Sequence, residues 1–139
     1  MAITSAVCNS FKQELFGGIH DLDTDVIKIA LYTSAATLGA STTAYTTSNE
    51  VVGAGYTAGG NTLSGAVISL DGSVAIVDFS DTTWSSATIT ARGALIYNSS
   101  KSNKAIAAID FGGDKTSTSG DFTVVFPAAT GTNAIVRIN

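Results

Sequence analysis

The sequence predicts a mainly β domain, an antiparallel β-sandwich or jelly roll carrying one short N-terminal helix. Three observations predict it. From Asp25 onward apolar residues recur with a period of two, turn residues divide the chain into seven short runs of this kind, and no second helical stretch is visible to supply the crossovers of a parallel sheet.

The helix is expected over about residues 5–17. Val7, Phe11 and Leu15 recur at i, i+4 and i+8 on one stripe, and Gly17-Gly18 follow where a helix C-terminus favours a left-handed residue. Thr4 or Ser5 stands where a cap is wanted, with Ser10 and Gln13 as a weaker capping box further in. Strands are expected at about 26–33, 63–70, 73–79, 87–97, 104–111, 121–126 and 133–138. In the first, Ile27, Ile29 and Leu31 point one way and Lys28, Ala30 and Tyr32 the other, as in a strand with one buried face. Phe122, Val124 and Phe126 alternate in the same way with Asp121, Thr123 and Val125. Asp71-Gly72 tolerates the positive φ angles of a type I′ turn, which makes the strands on either side antiparallel neighbours. Beside Gly93 the apolar parity passes from Ile89 and Ala91 to Ala94 and Ile96, which predicts a β-bulge.

Residues 34–61 break the pattern. They are rich in Thr, Ala and Gly, and Tyr45 and Tyr56 are their only aromatics. A structureless stretch this long is uncommon in a compact domain unless it has a role, so an ordered excursion that contacts something is expected. The alternative is a surface loop lying on its own domain. No repeat, linker or second domain is visible, and the 139 residues are expected to form one domain with both ends tied down.

Charged residues make up only 13% of the chain, about half the usual share, against 45% hydrophobic. Much of the surface must then be Thr, Ser, Gly, Asn and Ala, which a neighbouring protein covers without desolvating Lys or Glu. The net charge is −4, and the seven basic residues are scattered, which argues against nucleic acid. No run of about 18 apolar residues suggests a membrane span, and no basic, then apolar, leader is visible, so the protein is expected to be soluble and made in the cytoplasm. A single cysteine, Cys8, excludes an intrachain disulfide.

Tests for chemistry find no catalytic site, cofactor or metal. His20 is the one ready general base, and with Asp21, Asp23 and Asp25 it suggests a cation loop, but a calcium loop needs Gly and Glu where Val26 and Tyr32 stand. A solvated turn is the expected reading. Cys8 is expected to be a small buried apolar residue rather than half of a thiol dyad with His20. Gly53-Ala54-Gly55-Tyr56-Thr57-Ala58 has the letters of a dinucleotide fingerprint, but Gly59-Gly60-Asn61 follow where that motif needs a helix. Asn98-Ser99-Ser100 reads as a hairpin turn. Trp84, polar on both sides, is either an exposed anchor for a partner or glycan or a buried residue closing the core. Partner contacts are expected at Tyr45, Tyr56, Trp84, Ser99 and Lys101.

The phrases Asn9-Ser10-Phe11-Lys12-Gln13-Glu14-Leu15, Gly18-Ile19-His20-Asp21, Lys28-Ile29-Ala30-Leu31-Tyr32-Thr33, Tyr45-Thr46-Thr47-Ser48-Asn49-Glu50, Gly55-Tyr56-Thr57-Ala58-Gly59-Gly60 and Ala91-Arg92-Gly93-Ala94-Leu95-Ile96-Tyr97-Asn98 resemble small virion proteins of tailed bacteriophages. The resemblance extends to Phe111-Gly112-Gly113-Asp114-Lys115 and Phe122-Thr123-Val124-Val125-Phe126-Pro127. It implies a structural role in the virion, such as a capsid decoration or cement protein that binds the major capsid protein or other virion subunits and associates with itself. The rival expectations are a tail, neck or fibre-associated subunit and a carbohydrate-binding module.

Overall fold

Two antiparallel sheets and one helix make up residues 2–138, the part that the computed structural model describes. In chain order the elements are β1 (Ala6–Val7), α1 (Asn9–Phe16), β2 (Ile27–Tyr32), β3 (Asn61–Thr62), β4 (Val67–Asp71), β5 (Val74–Asp78), β6 (Thr82–Asn98), a 3-10 turn (Ser99–Lys101), β7 (Lys104–Val124) and β8 (Val136–Ile138). The larger sheet has the order β1-β7-β6-β2-β3 and the smaller one β4-β5-β8. The mainly β, sandwich-like fold and the single short helix are as the sequence predicts.

The helix is shorter than expected at its start. Residues 6–7 pair with Ala107 and Ala108 of β7, so Val7 belongs to a strand and the helical stripe reduces to Phe11 and Leu15. Neither expected cap residue stands at the helix start. The Thr4 N–H bonds the Leu38 carbonyl, and the Ser5 hydroxyl accepts the N–H of Asp110 at 2.8 Å. Cys8 takes the N-cap position in an extended conformation, without a side-chain bond to the helix. Ser10 is likewise engaged elsewhere, its hydroxyl donating to the Thr42 carbonyl at 3.4 Å.

Several of the expected strand bounds change: the run at 63–70 narrows to Val67–Asp71, with Asn61–Thr62 pairing separately on β2, and the run at 133–138 narrows to Val136–Ile138. The runs at 104–111 and 121–126 are parts of one strand, β7, and the run at 87–97 extends back to Thr82. Gly112, Gly113, Ser119 and Gly120 look like strand breakers, yet the ladder absorbs them as irregularities. The pairing passes from Ala91↔Lys115 to Gly93↔Asp110, so Phe111 to Asp114 bulge out beside the expected break at Gly93. Gly93 itself is required by close approach, since a Cβ there would lie 2.4 Å from the Ile109 carbonyl oxygen and 2.8 Å from Ile3. The hairpin between β4 and β5 forms as expected, but its turn is Gly72-Ser73 rather than Asp71-Gly72. Asp71 pairs with Val74, and of the two turn residues only Gly72 has positive φ, the signature of a type II′ turn rather than I′.

The strands β2 and the inner half of β6 are buried on both faces, where one buried face was expected for β2. The register explains how. Ala30 and Tyr32 stand opposite Leu95 and Gly93 on one face, while Ile29 and Leu31 stand opposite Ile96 and Ala94 on the other. The excursion of residues 34–61 lies over the first face, bringing Leu38 against Ile3 and Tyr45 onto Tyr97. Phe11 of α1 and His20 lie toward the second, where His20 reaches Asn98. With β5 and β8 adding Val77 and Val136, these residues form one continuous core.

Candidate interaction surface

All four tyrosines of the chain converge on the underside of the excursion. Glu50 is the one charged residue between Ser34 and Asn61, and it is buried there. Its Oε1 accepts the Tyr45 hydroxyl at 2.7 Å, and its Oε2 accepts the Tyr56 hydroxyl at 2.5 Å and the Gly59 N–H at 2.8 Å. Tyr56 in turn accepts the Leu31 N–H of β2 at 2.9 Å, and Tyr97 of β6 donates to the Gly59 carbonyl at 2.6 Å. Tyr32 donates to the Thr46 carbonyl at 2.6 Å, and the Tyr45 and Tyr97 rings stack at 4.7 Å. Burial, and after it the neighbouring Glu50, pushes the Tyr97 phenol up to about 12; burial likewise raises Tyr32, Tyr45 and Tyr56 far above the ordinary phenol range. The network is a clasp that fastens the excursion to the sheet. Tyr45 and Tyr56 therefore direct their hydroxyls inward, with their rings half-buried.

A second polar cluster fastens the hairpin tip between β6 and β7. Asn98 is fully buried; its Oδ1 accepts the Ser100 N–H, which fixes the amide so that Nδ2 donates to His20 Nδ1 at 3.0 Å and to Asp25 Oδ2 at 2.8 Å. With Nδ1 accepting, the ring proton sits on Nε2 and is donated to Glu14 Oε1 at 2.9 Å. Lys101 donates to both oxygens of Asp25 at 3.0 Å, and Ser99 bonds the Val26 carbonyl through both its N–H and its hydroxyl. Asp25 is lowered to about 2, chiefly by the Asn98 amide and then by the Asp21 N–H, with Lys101 assisting.

The expected solvated turn is thus only partly solvated. Asp21 and Asp23 are exposed, but His20 is enclosed and Asp25 is engaged by three partners. Ser99 and Lys101 are half-exposed, each with its polar atoms on the 20–26 turn. Trp84 is 4% exposed, packed between Tyr56 and Phe122 with its Nε1 unpartnered. Of the two readings of Trp84, this is the buried one. The Cys8 thiol is buried against the Gly39 carbonyl and pushed up to about 11, first by burial and then by Glu14.

What faces outward is different in kind. Along the outer half of the β6–β7 ribbon, threonine hydroxyls pair across the strands, Thr83 with Thr123 and Thr90 with Thr116, each at 2.9 Å. Phe16, Val52, Val67, Ile68, Leu70 and Val125 are exposed apolar side chains. Among the described residues no group of three or more His, Cys, Asp or Glu is placed to hold a metal ion, and no helix is long and apolar enough to cross a membrane.

Sequence reasoning missed Glu50 and Asn98. The signal for Glu50 was present: a lone carboxylate in an uncharged segment, five residues after one tyrosine and six before another. No known protein family model matches the chain, and no curated protein or solved structure matches it either.

Proposed function

We propose that this chain is a structural subunit of a bacteriophage virion, a capsid decoration protein that reinforces the head through contacts with the major capsid protein. One observation carries the reading beyond the sequence resemblance. The side chains able to do chemistry, His20, Glu50, Cys8 and the four tyrosines, are committed to interior contacts that lock two long connections onto the sheet. The exterior offers hydroxyls and apolar side chains at low charge density, which neighbouring subunits cover at little desolvation cost. Contacts of modest area made to several subunits at once turn each later contact into an effectively intramolecular step, so release requires breaking all of them. Tyr45, Tyr56, Ser99 and Lys101 would then act mainly by holding the excursion and the hairpin tip in shape for such contacts.

A tail, neck or fibre position is the competing placement within the virion. A carbohydrate module needs an open aromatic platform, which the enclosed Trp84 does not offer. Quantitative mass spectrometry of purified particles, combined with density mapping of the head, tests the reading. Tens to hundreds of copies on the capsid lattice are expected. A few copies in a ring at the neck or tail would select the competing placement, and absence from mature particles would overturn the virion reading.

A further inference from the structure

The smaller sheet ends on an unguarded edge. β4 has the sequence Val67-Ile68-Ser69-Leu70-Asp71, and all five residues are exposed, with Val67 57%, Ile68 55% and Leu70 72% accessible. Natural edge strands are usually blunted by lysine, proline, a bulge or a covering segment. β4 has no lysine or proline, pairs with β5 without a register break, and has no neighbour on its other side among the described residues.

Its free backbone groups follow from the turn. Asp71 and Val74 close a two-residue turn and so exchange backbone bonds. By alternation, Ser69 and Val67 also spend their N–H and C=O on β5, and those of Ile68 and Leu70 point to the open edge. The side chains of the same two residues lie on the groove side of the sheet. There Ile68 joins Phe11, Leu15, Leu22, Val77 and Ile138 in lining an apolar groove of about 440 Å³ between α1 and the small sheet.

The geometry points to a second copy of this chain as the occupant, with the two β4 strands antiparallel about a two-fold axis through Ser69. In that register Ile68 faces Leu70 of the other copy and Leu70 faces its Ile68. All four residues then use their free backbone groups in two hydrogen-bonded pairs, and a six-stranded sheet runs across both copies. Ser69 meets its own counterpart at a non-hydrogen-bonded position, where Cα atoms approach to about 4.5 Å.

Charge favours this arrangement over the parallel one. The only charged residue of the strand is Asp71, at its end. The two-fold separates the two Asp71 side chains by four residue rises, about 14 Å, which exceeds the screening length of roughly 8 Å at physiological salt. Parallel pairing would set them side by side. Two such edges bury less than the roughly 800 Å² per partner of a stable interface, so the pair is weak in dilute solution and suited to an array in which other contacts hold the copies together. The inference deepens the assembly reading above by naming one self-contact, and rests on that reading only for its biological setting.

Cysteine trapping on the purified chain tests it without any particle. Ser69→Cys is expected to form an intermolecular disulfide under mild oxidation, because its Cα separation across the axis falls within disulfide range. Val67→Cys is the control: its two copies stand about 14 Å apart and are expected to cross-link at least about tenfold more slowly. Adding Leu70→Lys, a natural edge guard, to Ser69→Cys is expected to slow trapping by a similar factor while leaving the circular dichroism unchanged. Equal trapping at positions 67 and 69, or trapping indifferent to Leu70→Lys, overturns the proposal. So does Ser69→Cys that cross-links on particles only to a different protein. Loss of the protein from particles with unchanged trapping would instead count against the virion reading alone.

Discussion

Tyr56 donates its hydroxyl to Glu50 and accepts the N–H of Leu31 through the same oxygen, so one phenol joins the excursion to the central sheet. Glu50 completes the joint by taking three donors, two phenols and the Gly59 N–H, in a buried position. Removing an acceptor from several buried donors costs more than the net worth of the bonds, because each donor keeps its desolvation penalty. Glu50→Ala is therefore expected to destabilise the fold by about 3 kcal/mol or more, and Tyr56→Phe by about 1–2 kcal/mol. Urea denaturation at neutral pH measures both. A Glu50→Ala variant as stable as the parent would mean that the clasp holds nothing.

The same clasp sets the behaviour in alkali. A phenol whose folded pKa is raised is held neutral by the fold, so its contribution is complete below the unfolded value of about 10 and is lost as pH rises beyond it. Burial, reinforced by Glu50, raises all four tyrosines, Tyr97 to about 12. Stability is expected to be flat up to about pH 10 and to fall above it, since the unfolded chain then binds fewer protons. Ultraviolet titration of tyrosinate should show no phenol ionising near pH 10 in the folded protein. Ordinary titration of two or more tyrosines at pH 10, with the fold intact, would contradict the buried network.

On the acid side Asp25 has the opposite sign. Its folded pKa is lowered to about 2 from 3.8, first by the Asn98 amide. The stability it contributes is present above the unfolded value and lost as pH falls from about 4 toward 2. Asn98→Ala should raise the Asp25 titration toward its ordinary range, followed by carboxyl carbon NMR. It should also cost about 2–3 kcal/mol at neutral pH, because His20 Nδ1 and the Ser100 N–H lose their partner as well. An unmoved Asp25 titration in that variant would assign its shift to the Asp21 N–H and Lys101 instead.

Gly60 and Gly72 both have positive φ, yet their surroundings differ. A Cβ on Gly60 would lie 1.8 Å from the Ile29 carbonyl oxygen, whereas nothing lies within 4 Å of one on Gly72. Gly72→Ala is expected to cost only the penalty of a positive-φ backbone that other residues rarely adopt, about 1–3 kcal/mol. Gly60→Ala must also displace the backbone of β2 and is expected to cost about 4 kcal/mol or more. Thermal or urea melts of the pair decide it, and equal losses would mean that the excursion yields freely at this point.

Trp84 offers a check on burial. Its Nε1–H is enclosed without a partner, which costs about 1–3 kcal/mol relative to a satisfied group, so Trp84→Phe exchanges lost ring area for removal of that cost. A change within about 1 kcal/mol is expected. In the parent, fluorescence should be that of an enclosed indole and resist aqueous quenchers; ready quenching in the folded state would place the ring at the surface.

The larger features of the fold were legible because they rest on local patterns. Period-two alternation at Phe122–Phe126 and the parity change beside Gly93 reported burial and pairing directly, whereas at Ile27–Tyr32 it marked the strand but not its second buried face. The errors came where long-range partners overrule local signals. Thr4 and Ser5 look like caps but are claimed by Leu38 and Asp110, and Gly112-Gly113 look like a strand end but sit in a bulge of a continuing ladder. The candidate surface was less legible. Tyr45, Tyr56 and Trp84 stand in polar, turn-rich sequence that suggests exposure, and nothing local reveals that Glu50 and Phe122 lie underneath.

The β6–β7 hairpin also has a kinetic consequence. Its strands are joined by only the tip between Asn98 and Lys104, so the most extensive pairing in the molecule is among the nearest in sequence, whereas β5 must wait for β8 some sixty residues downstream. Chain closure over short spans is fast and over long spans slow, so the transition state for folding should contain the ribbon beside its tip and lack the β5–β8 seam. Truncating Leu95 should then slow refolding, while truncating Val136 should hasten unfolding and leave refolding nearly unchanged. Stopped-flow chevrons of the two variants would separate these cases.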